Sequence, residues 1–133
     1  MSNLFGNIGK FDYDYLLADP NGADKIAIPC KPGNGVIARG TVMYREANGM
    51  YSPAAASDAV ATNSLVVLDE TVDTSADANI AEDAAAYRAG RMIDGRVKLK
   101  DGAELTDSVK LVLRQQGIVF NQMVGGEPYN NVI

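Results

Sequence analysis

The chain has 133 residues, 47% of them apolar and 22% charged, which is typical of one soluble domain that folds without metal or disulfide support. Acidic residues outnumber Lys and Arg by 17 to 12, and the net charge of −5 argues against free nucleic acid as a partner. Cys30 is the only cysteine, so no intrachain disulfide can form. We expect its thiol to be buried and neutral rather than nucleophilic.

The N-terminal third is predicted to be an arm followed by a connector. In residues 10–18 aromatic residues alternate with aspartates, which is the period of a strand with one apolar face. Pro20-Asn21-Gly22 predicts a turn, and the Pro- and Gly-containing stretch 29–35 predicts a connector. We therefore divide the chain into an arm and connector at 1–35 and a β-rich body with a C-terminal tail at 36–133.

The first part of the body is predicted to form strands and one hairpin. Residues 36–45 look like strand material, and Asn48-Gly49 favours a tight hairpin turn because both residues accept positive φ. Residues 50–52 would form the return strand, and residues 53–62 are small and irregular. The continuous apolar run 65–68 is typical of a buried strand.

The middle of the body combines an acidic segment with basic strands. Residues 69–83 carry six acids and no base, which predicts a solvated loop. The three consecutive alanines 84–86 favour helix locally, but Asp94-Gly95 favours a strand over 84–93 that leads into a hairpin, and we predict the strand. Bases alternate with aliphatic residues in 96–100, which predicts a strand with one buried and one positive face.

Residues 107–116 are the one predicted helix. Thr106 is a suitable N-cap, and Gly117 is placed to end the helix. Val109, Val112 and Leu113 lie on one side of it at positions i, i+3 and i+4.

A last strand is predicted over 118–120, and the Gly-, Pro- and Asn-containing tail 121–133 is predicted to be loop. Residues 1–5 lack the basic and apolar regions of a signal peptide. No apolar run approaches the roughly 20 residues that span a bilayer. We therefore expect the protein to be made, to fold and to act in water.

The sequence offers little catalytic chemistry. It contains no histidine, which removes Ser-His-Asp and Cys-His catalysis and most imidazole-based metal sites. Asp69 with Glu70, or Glu82 with Asp83, remain as acid and base pairs, but nothing near them indicates a raised pKa or a substrate cleft. The oxygen-rich segment 73–79 lacks the glycine and the donor spacing of an EF-hand loop. We expect no catalytic residue, no cofactor and no metal.

A group of bases lies between residues 88 and 100. Such a group could bind an anion, but it is more simply interpreted as the partner of an acidic surface, such as segment 69–83 of a neighbouring copy. A solvated basic face is the alternative. The predicted inter-subunit contacts are Arg88, Arg91, Arg96, Lys98 and Lys100.

Between residues 36 and 120 the order and spacing of these features resemble those of the head decoration proteins of tailed phages, the lambda type. The matching stretches are 37–43 with 48–53, 65–73, 87–93 and 112–120. The long arm and the tail after Phe120 depart from that family's pattern. The resemblance implies a mainly β fold with one short α-helix, a compact sandwich- or barrel-like body of the β-tulip type with an extended N-terminal arm.

The same resemblance implies a structural, non-enzymatic function. Such a protein would be made in the cytoplasm of the bacterial host and would bind the outer surface of the expanded head as a homotrimer at three-fold positions. Its partners would be the major capsid protein and further copies of itself, without nucleic acid, membrane or small-molecule substrate. It would stabilise the shell against the pressure of the packaged genome.

The predicted arm supplies a binding mechanism. A strand with free amides and carbonyls pairs with an exposed sheet edge of another protein, and alternate side chains fill pockets there. The alternative is that residues 10–18 form a strand of the domain's own sheet. The predicted capsid-binding residues are Phe11, Tyr13, Tyr15, Leu16 and Leu17.

Two other classes of function remain open at this point. One is a phage tail or baseplate accessory module that binds host-surface glycans through its Tyr-rich arm. The other is a small hydrolase that uses the acids of segment 69–83.

Overall fold

The computed structural model describes residues 16–121, 123–124 and 127–128. The described chain is mainly β, with 44% in strands and 11% in helical turns. In chain order the elements are β1 (Leu17–Cys30), β2 (Val36–Ile37), β3 (Val42–Arg45), β4 (Tyr51–Pro53), β5 (Leu65–Leu68), β6 (Val72–Asp73), β7 (Glu82–Ile93), α1 (Asp107–Gln115), β8 (Ile118–Asn121), β9 (Met123–Val124) and β10 (Glu127–Pro128).

Five strands of the main sheet close into a ring. The strand order is β1-β4-β3-β5-β7-β8, and β1 also pairs with β7. The antiparallel β1–β7 pairing runs from Leu17↔Met92 to Cys30↔Glu82, whereas β1 meets β4 in parallel only at Cys30↔Tyr51. The parallel strand β8 extends the sheet beyond β7. The prediction of a mainly β, barrel-like body with one short helix is confirmed.

One apolar cluster takes residues from all five strands of the ring and therefore fills its interior. Along β5, Val66 and Leu68 belong to this cluster while Leu65 and Val67 face the other way, as strand periodicity requires. Strand β7 contributes only alanines, whose small side chains suit a narrow barrel. The buried members are Ile28, Cys30, Ile37, Met43, Tyr51, Val66, Leu68, Val72, Ala84 and Ala86.

A second apolar cluster lies on the outer face of β3 and β5, where α1 covers it. Val42 and Val67 come from the strands, and Val109 and Leu113 come from the helix. Because β5 is buried on both faces, its sequence is continuously apolar rather than alternating. The helix is thus an integral layer of the domain.

The ends of α1 follow the sequence prediction closely. The Thr106 hydroxyl accepts from the Val109 amide at 3.3 Å, and Gly117 adopts a φ of 103°, which favours glycine. Between helix and β8, the Gln116 side chain accepts from the Leu65 amide at 2.9 Å and donates to the Asn63 carbonyl at 2.8 Å. These bonds fix the helix C-terminus to the start of β5.

The acidic segment 69–83 is less solvated than predicted. Its residues 72–73 form β6, which pairs with β2. Thr74 is fully buried, and its hydroxyl accepts from the Asn34 amide at 2.9 Å and donates to the Gly35 carbonyl at 2.8 Å. The segment therefore anchors the connector that follows β1.

Residues 17–30 lie in the sheet of the body, where the sequence predicted an arm and a connector. Their backbone pairs with β7 at Leu17, at Asp19 and over residues 24–30, which satisfies hydrogen-bonding groups that an isolated arm would leave to water. The turn predicted at Pro20-Asn21-Gly22 is instead an irregularity within β1, where the register shifts between Asp19 and Asp24.

Two further predictions differ from the structure. Val97 and Leu99 are buried as the alternation predicted, but the predicted strand 96–100 makes only one bridge, Thr41↔Lys98, because the chain turns into a 3-10 helix at Lys100–Gly102. The tail, predicted as loop, contains the antiparallel pair β9–β10.

Candidate interaction surface

The residues at which the predicted arm joins the body belong to the apolar core. Leu16 is fully buried and Leu17 is 7% exposed, both in the cluster beneath α1. The Leu16 carbonyl accepts from the Ile93 amide at 2.7 Å. Leu16 and Leu17 therefore do not form part of a free capsid-binding strand, because their side chains already pack inside this domain. The other predicted arm residues, Phe11, Tyr13 and Tyr15, lie outside the described residues.

The predicted basic cluster is divided among different environments. Arg88 pairs with Asp24, and Lys98 pairs with Glu104. Arg96 is half-buried and Lys100 is exposed on the 3-10 helix. Arg91 is exposed and lines a groove between α1 and β8. The predicted contact between this cluster and the acidic segment of a second copy stays a prediction.

One acid of segment 69–83 sits between two bases of its own chain. The Asp69 side chain is 7% exposed and lies 2.8 Å from the Lys25 ammonium and 3.0 Å from the Arg39 guanidinium. The hydrogen bond to Asp69 raises the pKa of Lys25 above its ordinary value. The Lys25 ammonium also lies 5.1 Å from the centre of the Tyr87 ring. These contacts connect β1 with the residue that follows β5.

The other acids considered at the sequence level make local hydrogen bonds. Asp73 accepts from the Ser75 amide at 2.9 Å, and Asp77 accepts from the Asn79 amide at 2.8 Å, which closes two small turns. Glu70 accepts from the Ala85 amide at 2.7 Å. Among the described residues, no group of three or more acids or cysteines is arranged to hold a metal ion.

Cys30 lies inside the barrel and is fully buried. Burial, reinforced by the nearby Asp83, Glu70 and Glu82 carboxylates, raises the pKa of its thiol to about 11. The thiolate is therefore scarce at neutral pH, and the thiol behaves as a small apolar core group.

A groove of about 730 Å³ runs between α1, β8 and the end of β7. Arg91 and Arg114 are exposed on its walls, and Leu111 is 55% exposed. Its lining residues are Arg91, Asp94, Asp107, Lys110, Leu111, Arg114, Val119 and Phe120. A smaller cavity of about 460 Å³ shares Arg91 and Val119 with it and continues toward β1.

The charges inside the groove are only partly balanced. The Lys110 ammonium lies 2.9 Å from Asp94 and 6.0 Å from the centre of the Phe120 ring. Neither Arg91 nor Arg114 forms an ion pair with another residue of the described chain. In a protein of net charge −5, two guanidinium groups without an ion-pair partner among the described residues thus lie next to exposed apolar surface.

The sequence prediction missed this groove. The one local feature that could have indicated the groove is Leu111, a large apolar residue on the polar side of α1. Its side chain is exposed and does not pack with the buried face of the helix. The parallel pairing of β7 with β8 brings Arg91 beside Val119. That pairing depends on the crossover through α1 and cannot be read from either strand alone.

The fold and the surface define a small β-barrel domain with a helix-covered outer face and a basic, partly apolar groove. Within the described ranges no helix has the length and hydrophobicity to cross a membrane. Neither a scan against protein-family models nor a search of curated proteins finds a match to this chain.

Proposed function

We propose that the protein is a capsid decoration protein of a tailed phage. In this role it binds the outside of the expanded head at three-fold positions as a homotrimer and stabilises the shell against internal pressure. It acts by binding the major capsid protein and further copies of itself, and it catalyses no reaction.

The order of elements is the observation that carries this proposal. The resemblance implied a compact, mainly β body with one short helix, and the described chain has that fold. The hairpin at Asn48-Gly49, the buried strand β5, the strand β7 and the α1–Gly117–β8 unit occur where the resembling stretches lie.

The barrel suits a clamp because its strands leave few free edges. Strands β3 and β5 pair with a neighbour on each side, and β4 pairs with β3 and meets β1 at Cys30↔Tyr51. Such a body resists deformation, since its interior and its outer cluster are both packed with buried apolar side chains.

The buried Leu16 changes how the arm would work. In this proposal residues 1–15 pair with a sheet edge of the capsid subunit, with Phe11, Tyr13 and Tyr15 as the contact residues. Leu16 and Leu17 serve as the anchor, so that tension on the arm reaches the core cluster beneath α1. Three arms in one trimer would raise a modest affinity about a hundredfold or more by avidity.

Genome release from heads tests this stabilising role. Expanded, DNA-filled heads stripped of the protein are heated with and without the purified protein, and released DNA is followed with an intercalating dye. We expect a higher release temperature when the protein is added back. An unchanged release temperature at saturating protein would overturn the proposal.

A further inference from the structure

We propose that in the free protein the basic groove between α1 and β8 binds the acidic and aromatic segment 10–15 of the same chain. This contact goes beyond the proposed function and depends only on the protein itself. It would hold the capsid-binding arm against its own body until a shell is present.

Charge is the first argument for this occupant. Segment 10–15 carries Asp12 and Asp14 against the single base Lys10. The groove lining holds three bases against Asp94 and Asp107, and Arg91 and Arg114 have no ion-pair partner in the described chain. A guanidinium group donates two parallel hydrogen bonds to a carboxylate, which makes it a strong receptor for such a segment.

The apolar surface of the groove is the second argument. Leu111 is 55% exposed beside the half-buried Phe120. In segment 10–15 aromatic residues alternate with the aspartates, so an extended backbone would place Phe11 and Tyr13 on one side and the carboxylates on the other. Aromatic rings and exposed leucine gain free energy when they shield each other from water.

The position where the segment joins the body is the third argument. The Leu16 carbonyl bonds to the Ile93 amide, and the next residue, Asp94, lines the groove. The Asp94 amide in turn bonds to the carbonyl of Asn121 at 3.0 Å. The chain therefore enters the body close to one end of the groove.

The segment is long enough to cover the distance. Four residues in extended form reach roughly 13 Å, while two neighbouring strand spacings amount to roughly 10 Å. Asp12 can thus pass over β7 and β8. A tethered segment also has an effective concentration on the order of millimolar, which favours the arm of the same chain over that of a second copy.

Paramagnetic broadening in the full-length protein tests this contact. The Gly9→Cys variant is labelled with a nitroxide, and Cys30 is spared because its thiol is fully buried. The reduced, diamagnetic label gives the reference spectrum. We expect the amide signals of Leu111, Arg114 and Val119 to lose most of their intensity, and to regain it in about 1 M salt, where the screening length falls to about 3 Å.

A charge reversal and a matched control make the test specific. Arg114→Glu, combined with Gly9→Cys, is expected to restore the signals. Arg45→Glu makes the same charge change at an exposed position on β3, outside the groove, and is expected to leave the broadening in place.

Three outcomes would overturn the inference. The first is full signal intensity with the active label. The second is equal broadening in the Arg114→Glu and Arg45→Glu proteins. The third is broadening that appears between labelled and unlabelled chains in a mixed sample and disappears on dilution, because the groove would then bind the arm of a second copy.

Discussion

The ammonium group of Lys25 lies 2.8 Å from the carboxylate of Asp69, across the face of Tyr87 on the intervening strand β7. Lys25 belongs to β1 and pairs in register with Tyr87, which also pairs with Val67 of β5. The ion pair therefore spans three neighbouring strands of the barrel. Because β1 was expected to belong to a separate arm and connector, this contact shows how firmly the first strand is built into the body.

Replacing Asp69 tests the importance of this contact. Asp69→Asn keeps the size of the side chain but leaves Lys25 and Arg39 without their shared anion. We expect the free energy of unfolding to fall by roughly 1–3 kcal/mol, measured by urea denaturation at neutral pH. The control is Asp77→Asn, at an exposed acid of the same segment that accepts from the Asn79 amide. Asparagine can accept the same hydrogen bond, so this change should alter the free energy of unfolding by less than about 0.5 kcal/mol. Equal effects of the two substitutions would contradict the assignment.

Truncation and substitution at the start of the described chain test where the arm ends. Leu16 is fully buried in the outer cluster, so Leu16→Ala should cost about 2–5 kcal/mol of stability. Removal of residues 1–15 should leave the cooperative unfolding transition intact, whereas removal of 1–17 should lower its midpoint strongly. Ile80→Ala, at a position 57% exposed and outside the groove, is the matched control and should have little effect. A Leu16→Ala protein as stable as this control would contradict the placement of Leu16 in the core.

Alanine substitutions at two glycines with the same φ distinguish the cost of a left-handed backbone from the cost of a steric clash. Gly40 and Gly33 both have a φ of 93°. A Cβ at position 40 would lie 2.6 Å from the Arg96 carbonyl oxygen, whereas one at position 33 would meet nothing within 4 Å. Gly33→Ala should therefore cost about 1–2 kcal/mol from the left-handed conformation alone.

We expect Gly40→Ala to be clearly more destabilising than Gly33→Ala, because the Arg96 backbone must move as well. Thermal unfolding of both variants, compared with the unsubstituted protein, measures the difference. Equal losses in the two variants would show that the contact between Gly40 and Arg96 relaxes without cost.

The dependence of stability on pH should reveal the role of Glu46. The short hydrogen bond from the Ser52 hydroxyl, at 2.6 Å, and then the contact with Lys31 hold the pKa of Glu46 below its ordinary value of 4.5. A carboxyl group with a lowered pKa in the folded state stabilises the protein above its unfolded-state pKa and loses this effect as pH falls through the folded value.

The Glu46→Gln protein should accordingly be less stable than the unsubstituted protein at neutral pH, and the difference should shrink as pH falls below 4.5. Urea denaturation at a series of pH values from neutral to acidic measures this difference. A difference that stays constant over this range would rule out an ionised Glu46 as its origin.

The elements that were predicted correctly are those determined by residues close to one another in the sequence. Asn48-Gly49 lies in the predicted hairpin turn between β3 and β4, although of the two residues only Gly49 has a positive φ, of 89°. The continuous apolar run Leu65–Leu68 is a strand buried on both faces. Thr106 and Gly117 delimit α1 as their chemistry predicts. In each of these cases the deciding interaction lies within a few residues of the chain.

The parts that the sequence did not predict depend on distant partners. Strand β1 pairs with β7 across more than fifty residues of sequence, and its own pattern gives no sign of that register. Val97 and Leu99 were correctly expected to be buried, but the chain between them finds a single bridge rather than a strand partner. The groove escaped prediction for the same reason, since Arg91 and Arg114 meet only after β7, α1 and β8 have packed together.

Co-sedimentation with shells of the protein's own phage tests the central claim most directly. The purified protein is mixed with compact procapsids and with expanded heads stripped of this protein, and the bound amount is measured at increasing concentration. The account predicts saturable binding to expanded heads alone, at a stoichiometry that matches the three-fold positions. Absence of binding to both preparations, or equal binding to both, would contradict it.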